Sequence, residues 1–430
     1  MAYILIIGTS RLISRCAFQR KDWTAVMHED LRAVITGCGV VSNIGDNLLD
    51  FWTNLCAGNL GYGPLNNIDT SKYNVHIGGE IKQFQPEKYI PEFDEKKEYL
   101  GRTSQMALSA AYLALMDAGL LISSLNELSV GATIGTTDGE SQEIEKMNMY
   151  LSGNDPYLSN KACQLFGTQR ITQSIAREFH LSGPVCTVGS ACTAANHAIF
   201  YAYEKIKKGK ADIMIVGGAD SFSRKTFTSF NRLGATTPDI CAPFDVNRKG
   251  MVVSEGAGII ILESLRNAEN RHAKIYAEVV GSGVSCDAFH MTHLSEQGIT
   301  LAMQNALTDA RITADMVDMI CAHGTGTHAN DLIEGKVIAS MYGNNVCVTS
   351  NKSVIGHTMG AACAFNIIML ALSMQNGLIP KISNTKDVDP LLGINCVLNN
   401  IETTVHYGQS NGFAFGGNNG IVILRNGRML

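Results

Sequence analysis

The 430-residue chain is poor in several things, and each scarcity excludes a class of protein. Charged residues make up only 17% and hydrophobic ones 45%, too apolar a balance for an intrinsically disordered chain. Lysine and arginine (34) are outnumbered by aspartate and glutamate (39), for a formal charge of −5. That argues against a nucleic-acid binder, which is usually basic. No stretch approaches the roughly 18 consecutive apolar residues of a membrane span. Prolines number nine against 42 glycines, so connections are tight and linkers few. CxxC pairs are missing: the twelve cysteines, at 16, 38, 56, 163, 186, 192, 241, 286, 321, 347, 363 and 396, are scattered, without zinc-finger spacing. With no secretory signal, such cysteines read as free thiols in a reducing cytoplasm, most of them core filler. Residues 1–30 read as an atypical extension, because apolar "AYILIIG" precedes basic "RLISRCAFQRK", the reverse of a signal peptide.

Beyond residue 30, apolar runs alternate with helical patterns, the signature of an α/β fold. "LRAVITGCGVVS" (31–42) predicts a strand closed by glycines, and "SQMALSAAYLALMDAGL" (104–120) a helix with a glycine stop. "VGATIGTT" (130–137), "ADIMIVGGAD" (211–220) and "GAGIIILES" (256–264) are apolar nearly throughout, as buried strands are. The second half repeats the theme with a strand over 277–287, a helix over 298–310 and a strand over 318–328 running into a Gly/Thr loop. A strand, turn and helix follow over 347–377, and "SNGFAFGGNNGIVIL" (410–424) predicts a Gly-rich loop and a strand. The expected division is an N-terminal half over 31–275 and a C-terminal half over 276–430.

The halves are most alike at one feature. "VCTVGSAC" and "VCVTSNKSVIGH" each read as strand, turn and long helix, with a reactive side chain at the helix start: Cys192 in the first, His357 in the second. Pseudo-twofold symmetry would bring these starts together. Cys192 then has two readings: small core filler, or a nucleophile whose thiolate the first helix amides stabilise. A Cys–His pair is a nucleophile class. His323 in "AHGTGTHAND" and His357 in "KSVIGHTMG" lie among glycines and threonines, which let backbone approach a ligand. Taken alone, each is more readily a structural histidine. His323 and His328 lack an HExxH arrangement; His197 reads as a packing or capping residue, and His290 and His293 as loop polarity more readily than as ligand contacts. Lys352, if buried, needs a carboxylate, with Asp331 or Glu334 the natural partner.

In order, "VITGCGVVSNIG", "GSACTAANHAI", "ADIMIVGGADS", "APFDVNRKGMVVSEGAG", "DAFHMTH", "AHGTGTHANDLIE", "SNKSVIGHTMGAA" and "GFAFGGNNG" resemble the β-ketoacyl-acyl-carrier-protein synthases of the thiolase superfamily. The resemblance implies an α/β fold of two duplicated halves in five layers, α-β-α-β-α, usually dimeric. It implies that Cys192 takes an acyl chain from a carrier protein as a thioester, while His323 and His357 promote decarboxylation of malonyl-carrier protein and stabilise the enolate. Backbone amides of Cys192 and Phe415 would form the oxyanion hole, with Phe415 also the gatekeeper of a mobile loop. Lys352 with Glu334, and Asp331 beside them, would form the buried ion pair that holds the histidines. Thr325 and Thr327 would bind the pantetheine arm, with Thr292, Gly416 and Gly417 also at the substrate. A second histidine in place of asparagine matches the elongating class rather than starter or chalcone-type enzymes, and thiolases need a second cysteine near the C-terminus. The implied partners are an acyl carrier protein, which brings phosphopantetheine so that the enzyme needs no cofactor or metal of its own, and a second subunit. That subunit is either another copy or a cysteine-less, chain-length-factor-like sister.

Some stretches depart from the pattern. In "ATIGTTDGESQE" the acyl-pocket position of fatty-acid enzymes falls on Asp138. A carboxylate there is costly unless paired or hydrated. Either the segment is displaced to the surface or the growing chain is polar, as a polyketide is. The expected role is therefore elongation in polyketide or polyene synthesis, with housekeeping fatty-acid elongation and a non-catalytic chain-length-factor-like subunit as rivals. "EKMNMYLSGNDPYLSNKACQ" (145–164) is expected to cover the dimer seam and pocket, and "CAPFD", with Ala242 where many relatives carry arginine, to alter a carrier or subunit contact. Arg224, Lys225 and Arg232 fall where the family places part of its basic carrier-docking surface; a solvated charged face is the other reading.

Overall fold

The computed structural model describes residues 31–96, 100–150 and 167–430. The extension 1–30 and residues 151–164 of the expected cover lie outside the described residues. In chain order the elements that frame the site are β1 (Ala33–Val41), α1 (Arg102–Asp117), β2 (Val130–Gly135), α2 (Arg170–Glu178), β3 (Val185–Val188), α3 (Ala194–Lys207), β4 (Ile213–Asp220), α4 (Arg224–Arg232) and β5 (Gly256–Ser264). Then come β6 (Ala277–Cys286), α5 (Glu296–Ala310), β7 (Met319–Cys321), α6 (His328–Tyr342), β8 (Cys347–Thr349), α7 (Ala362–Asn376), β9 (Asn395–Cys396), β10 (Tyr407–Ala414) and β11 (Asn418–Asn426).

Among the described residues these strands share one sheet, in the order β9-β8-β7-β10-β11-β6-β1-β5-β4-β2-β3. The order conceals a repeat. Read outward from the β1–β6 seam and leaving out the two-residue edge strand β9, which has no counterpart in the first half, each half runs first, fifth, fourth, second, third in its own chain order. In each half the second strand pairs in parallel with the third and fourth, and the fifth antiparallel with the fourth and first. Three antiparallel residue pairs between β1 and β6 join the halves.

Strand alternation then sets the layers. Ile213 and Ile215 of β4 pack on one side with α1 and α2, while Met214 and Val216 face the other side, among α3 and α7. In the second half, Val422 and Leu424 of β11 meet that same central core, and Ile421 and Ile423 face α5 and α6. The stack is helices, half-sheet, two central helices, half-sheet, helices. Every residue from Ala362 to Met374 of α7 is buried, which explains why this helix is apolar all round. The stretch Met359–Asn376 is long and apolar enough to cross a membrane, yet 89% of it is buried. It is a core helix.

One local reading needs correction, and one helix goes unread. Residues 410–414 are the end of β10 rather than a loop, and the turn is confined to Phe415–Gly417. Gly412 suits a strand here because a Cβ would sit 2.5 Å from Cys363 Sγ of α7, so closeness of packing, not flexibility, selects glycine. Helix α6 follows the Gly/Thr loop; its apolar residues are spread around the axis, leaving no stripe to read.

Candidate active site

The central helices α3 and α7 begin alike. Each is preceded by a 3-10 turn, Ala191–Thr193 and Met359–Ala361, whose first residue is left-handed, Ala191 at φ 50° and Met359 at φ 51°. Such strain in non-glycine residues is characteristic of functional corners. In this register the counterpart of Cys192 is Gly360, and His357 stands three residues earlier, not at the equivalent position. Gly360 has room for no side chain, since a Cβ would lie 2.7 Å from Asp220 Oδ2. Asp220 accepts from Thr136 Oγ1 (2.6 Å) and from the amides of Thr137 (2.8 Å), Asp138 (2.9 Å) and Gly360 (2.7 Å). It thereby ties the first half to the start of α7. The Cys192 corner is held by His197, which bridges Ser190 Oγ (2.7 Å) and the Asn419 carbonyl (3.2 Å).

Cys192, His323 and His357 line one cavity of about 360 Å³. The two imidazoles stand edge to face, with centroids 5.3 Å apart and an interplanar angle of 83°, and Phe413 lies 5.8 Å from His323. Met359 N–H donates to His357 Nδ1 (3.2 Å), so the ring proton sits on Nε2, the atom left as a donor. Nδ1 of His323 is buried and has no hydrogen-bond partner among the described residues. Burial first, and the Lys352 charge next, hold both histidines well below the usual imidazole range. Both are neutral donors at physiological pH.

Lys352 and Glu334 are fully buried, but among the described residues they form no direct ion pair. They grip opposite sides of the His323 backbone instead. Lys352 Nζ donates to the His323 carbonyl (2.6 Å), and Glu334 accepts from the amides of His323 (2.7 Å) and Gly324 (2.8 Å). Asp331 belongs elsewhere: it accepts from the amides of Phe244 (2.7 Å) and Thr325 (3.1 Å), and its nearest cation is Arg248 at 3.9 Å.

The expected resting thiolate is also corrected. Burial pushes the Cys192 thiol up to about 12, and the Lys352 charge pulls it back only in part. The helix-start amides act on a sulfur that has lost its water, and desolvation wins. Alkylation of Cys192 by iodoacetamide should therefore rise about tenfold per pH unit from pH 7 to 10 without levelling, since only thiolate reacts. A plateau beginning near neutrality would show a thiolate–imidazolium pair instead.

At the outer end, Phe415 of the β10–β11 turn packs against Phe230 of α4, centroids 5.4 Å apart. Thr325, Thr327 and Thr292 line the cavity, with Thr325 and Thr327 hydroxyls 2.8 Å apart. The sequence reading missed Phe230 and Leu233; the signal was Phe227 and Phe230 one turn apart in an otherwise polar helix, of which Phe227 went to the core. Asp138 does not line the cavity. Its carboxylate pairs with Lys225 (2.9 Å) and accepts from Thr226 Oγ1. Gly416 and Gly417 do not line the cavity either: the Gly416 amide donates to the Met291 carbonyl (2.9 Å) and the Gly417 carbonyl accepts from the Asp287 amide (3.1 Å). Arg224, Lys225 and Arg232 are exposed along α4 beside the mouth, though Lys225 is committed to Asp138. Cys241 is buried beneath the Thr325 loop, its thiol donating to the Thr325 carbonyl (3.3 Å).

A duplicated five-layer α/β fold with a cysteine and two neutral histidines in one cavity defines a carbon–carbon condensing acyltransferase of the thiolase type. The family model for the β-ketoacyl synthase N-terminal domain matches residues 31–268 and that for the C-terminal domain residues 276–386. The chain belongs to the β-ketoacyl synthase family. It is 35% identical over 409 residues to Nodulation protein E of Rhizobium meliloti (strain 1021) and 34% identical over 414 residues to 3-oxoacyl-acyl-carrier-protein synthase 2 of Vibrio cholerae serotype O1. Each match covers 92% of this chain and 99% of the relative. Among solved structures, the ishigamide ketosynthase/chain length factor aligns with a TM-score of 0.87 at 38% identity, over 92% of this chain and 99% of that one.

Proposed function

We propose that the chain is the elongating synthase of a dissociated, cytoplasmic type II system, and that it builds a polyketide or polyene chain. The observation that carries the mechanism is the shared cavity of a buried thiol and two neutral imidazoles. The Cys192 sulfur adds to the carrier-bound acyl carbonyl, and its proton leaves with the departing carrier thiol. Amides of Cys192 and Phe415 steady the tetrahedral oxyanion. Malonyl-carrier protein then enters. Its carboxylate carbon–carbon bond breaks, carbon dioxide departs, and His357 Nε2–H with the His323 ring stabilises the enolate oxygen. The enolate carbon attacks the acyl-cysteine, a carbon–carbon bond forms, the carbon–sulfur bond breaks, and the departing Cys192 thiolate takes from solvent the one proton that the condensation consumes. Neutral imidazoles suit this step, because an imidazolium would protonate the carbanion it has to hold.

The specialised role now rests on different ground. Asp138 lends it nothing, being tied to Lys225. Support comes from relatives named for nodulation and for ishigamide, although a general 3-oxoacyl synthase matches nearly as well. The open edge at β3, where Val185 is 41% exposed, suits a second subunit, either another copy or a chain-length-factor-like sister. Phosphopantetheine arrives on the carrier. Elongation assays with purified carriers test the reading: a short β-ketoacyl carrier should be used at least about tenfold better than dodecanoyl carrier in kcat/KM. Preference for dodecanoyl would assign the enzyme to fatty-acid elongation.

A further inference from the structure

The condensation accounts for the inner end of the cavity and leaves its outer end unexplained. Three nitrogen-bearing side chains from separate parts of the chain line that end: Lys249 ahead of β5, His293 in the loop after β6, and His328 at the first residue of α6. All three are exposed while lining the cavity. His293 is oriented by a neighbour. His290 Nδ1 already accepts from the amides of Thr292 (3.1 Å) and His293 (3.2 Å) and meets His293 Nδ1 at 2.7 Å. The proton in that contact therefore lies on His293, whose Nε2 is left to meet a ligand. The nearby carboxylates are engaged. Asp239 pairs with Lys249 at 2.9 Å in an exposed, readily exchanged contact, and Asp389 is held by Arg248 at 2.8 Å. The amino-terminal end of the fifteen-residue α6 adds partial positive charge at the same place.

We infer that Lys249, His293 and His328 form a phosphate-binding collar for the phosphodiester of the carrier's prosthetic arm. This rests on the proposed function, which brings such an arm into the cavity. A pantetheine arm with its sulfur at Cys192 has one permanent charge, the phosphate at its outer end, and the collar stands where the chain leaves the protein. An anion there takes Lys249 from Asp239 and is met by the doubly protonated form of His293, in which both ring nitrogens are donors.

Protection of Cys192 from iodoacetamide, followed by intact mass on the full-length protein, tests the collar without requiring turnover. 4′-Phosphopantetheine should protect at a concentration about tenfold lower than pantetheine, the ratio expected of one good charged contact set. In the His293→Gln/His328→Gln double variant the ratio should fall below about twofold, and His293→Lys should retain most of it. Equal protection by the two compounds in the wild type overturns the inference, as does a ratio that survives in the double variant. Acyl transfer from acyl-pantetheine, which has no phosphate, reports on the proposed function separately. Its absence in the wild type would sink that function, while the protection ratio would still decide for or against the collar.

Discussion

The Cys192→Ala protein should take no acyl group from a carrier thioester, yet should still release carbon dioxide from malonyl-carrier protein. The sulfur is needed only for the covalent step, and its loss should lower acyl transfer by at least about 10⁴-fold, as removal of a nucleophile does in other covalent enzymes. The decarboxylating apparatus is held by other atoms. Met359 N–H fixes the His357 tautomer, and Lys352 and Glu334 clamp the His323 peptide. None of these bonds involves Cys192 Sγ. Decarboxylation should stay within about tenfold of wild type, a change no larger than loss of one uncharged contact. Intact mass after incubation with acyl-carrier protein, alongside labelled carbon dioxide release, separates the half-reactions. Decarboxylation falling as far as acylation would show that the sulfur takes part in both, and the division of labour between cysteine and histidines would be wrong.

Lys352→Met should destabilise the fold by about 3–5 kcal/mol, the usual cost of stranding a buried charge. Glu334 would keep its amide, Asn411 and Asn330 donors, but the cation opposite it would be gone, and the His323 carbonyl would lose its short donor. The same charge is the largest influence pulling the Cys192 thiol down. The variant should accordingly alkylate more slowly at Cys192 at pH 8, about tenfold for each unit of upward shift in the thiol. Adding Glu334→Gln removes the stranded anion, so the double variant should recover at least about 1 kcal/mol relative to the sum of the single losses. Urea denaturation of the four proteins measures this coupling. Strict additivity would mean that lysine and glutamate hold His323 independently and that their charges do not sense each other across its peptide.

Much of the architecture was legible because it depends on local rules. Near-continuous apolar runs such as "GAGIIILES" become strands covered on both faces, and "SQMALSAAYLALMDAGL" becomes a helix ending at a left-handed glycine, Gly119. Glycine and threonine around His323 and His357 marked the loops that line the cavity. Less legible were residues whose role depends on direction. Asp138 sits in the expected loop but turns towards Lys225, and no periodicity says which way a loop side chain points. Phe230 reaches the cavity while Phe227, one turn earlier on α4, enters the core. His293 reads as loop polarity and His328 only as half of a pair without metal-site spacing, until tertiary structure places both on the rim with Lys249.

From its order of residues alone the chain specified two like α/β halves, a cysteine at one helix start and two histidines beside glycines. These follow from hydrophobic period and backbone permissiveness, which act over a few residues. Only the assembled fold decided charge and direction: that Cys192 rests as a thiol, that both imidazoles are neutral, and that Lys352 and Glu334 meet through a peptide rather than face to face. Those outcomes depend on how much water is removed from each group and on which charges remain nearby. Desolvation and Coulomb energy are set by neighbours in space, many of them a hundred or more residues away in sequence.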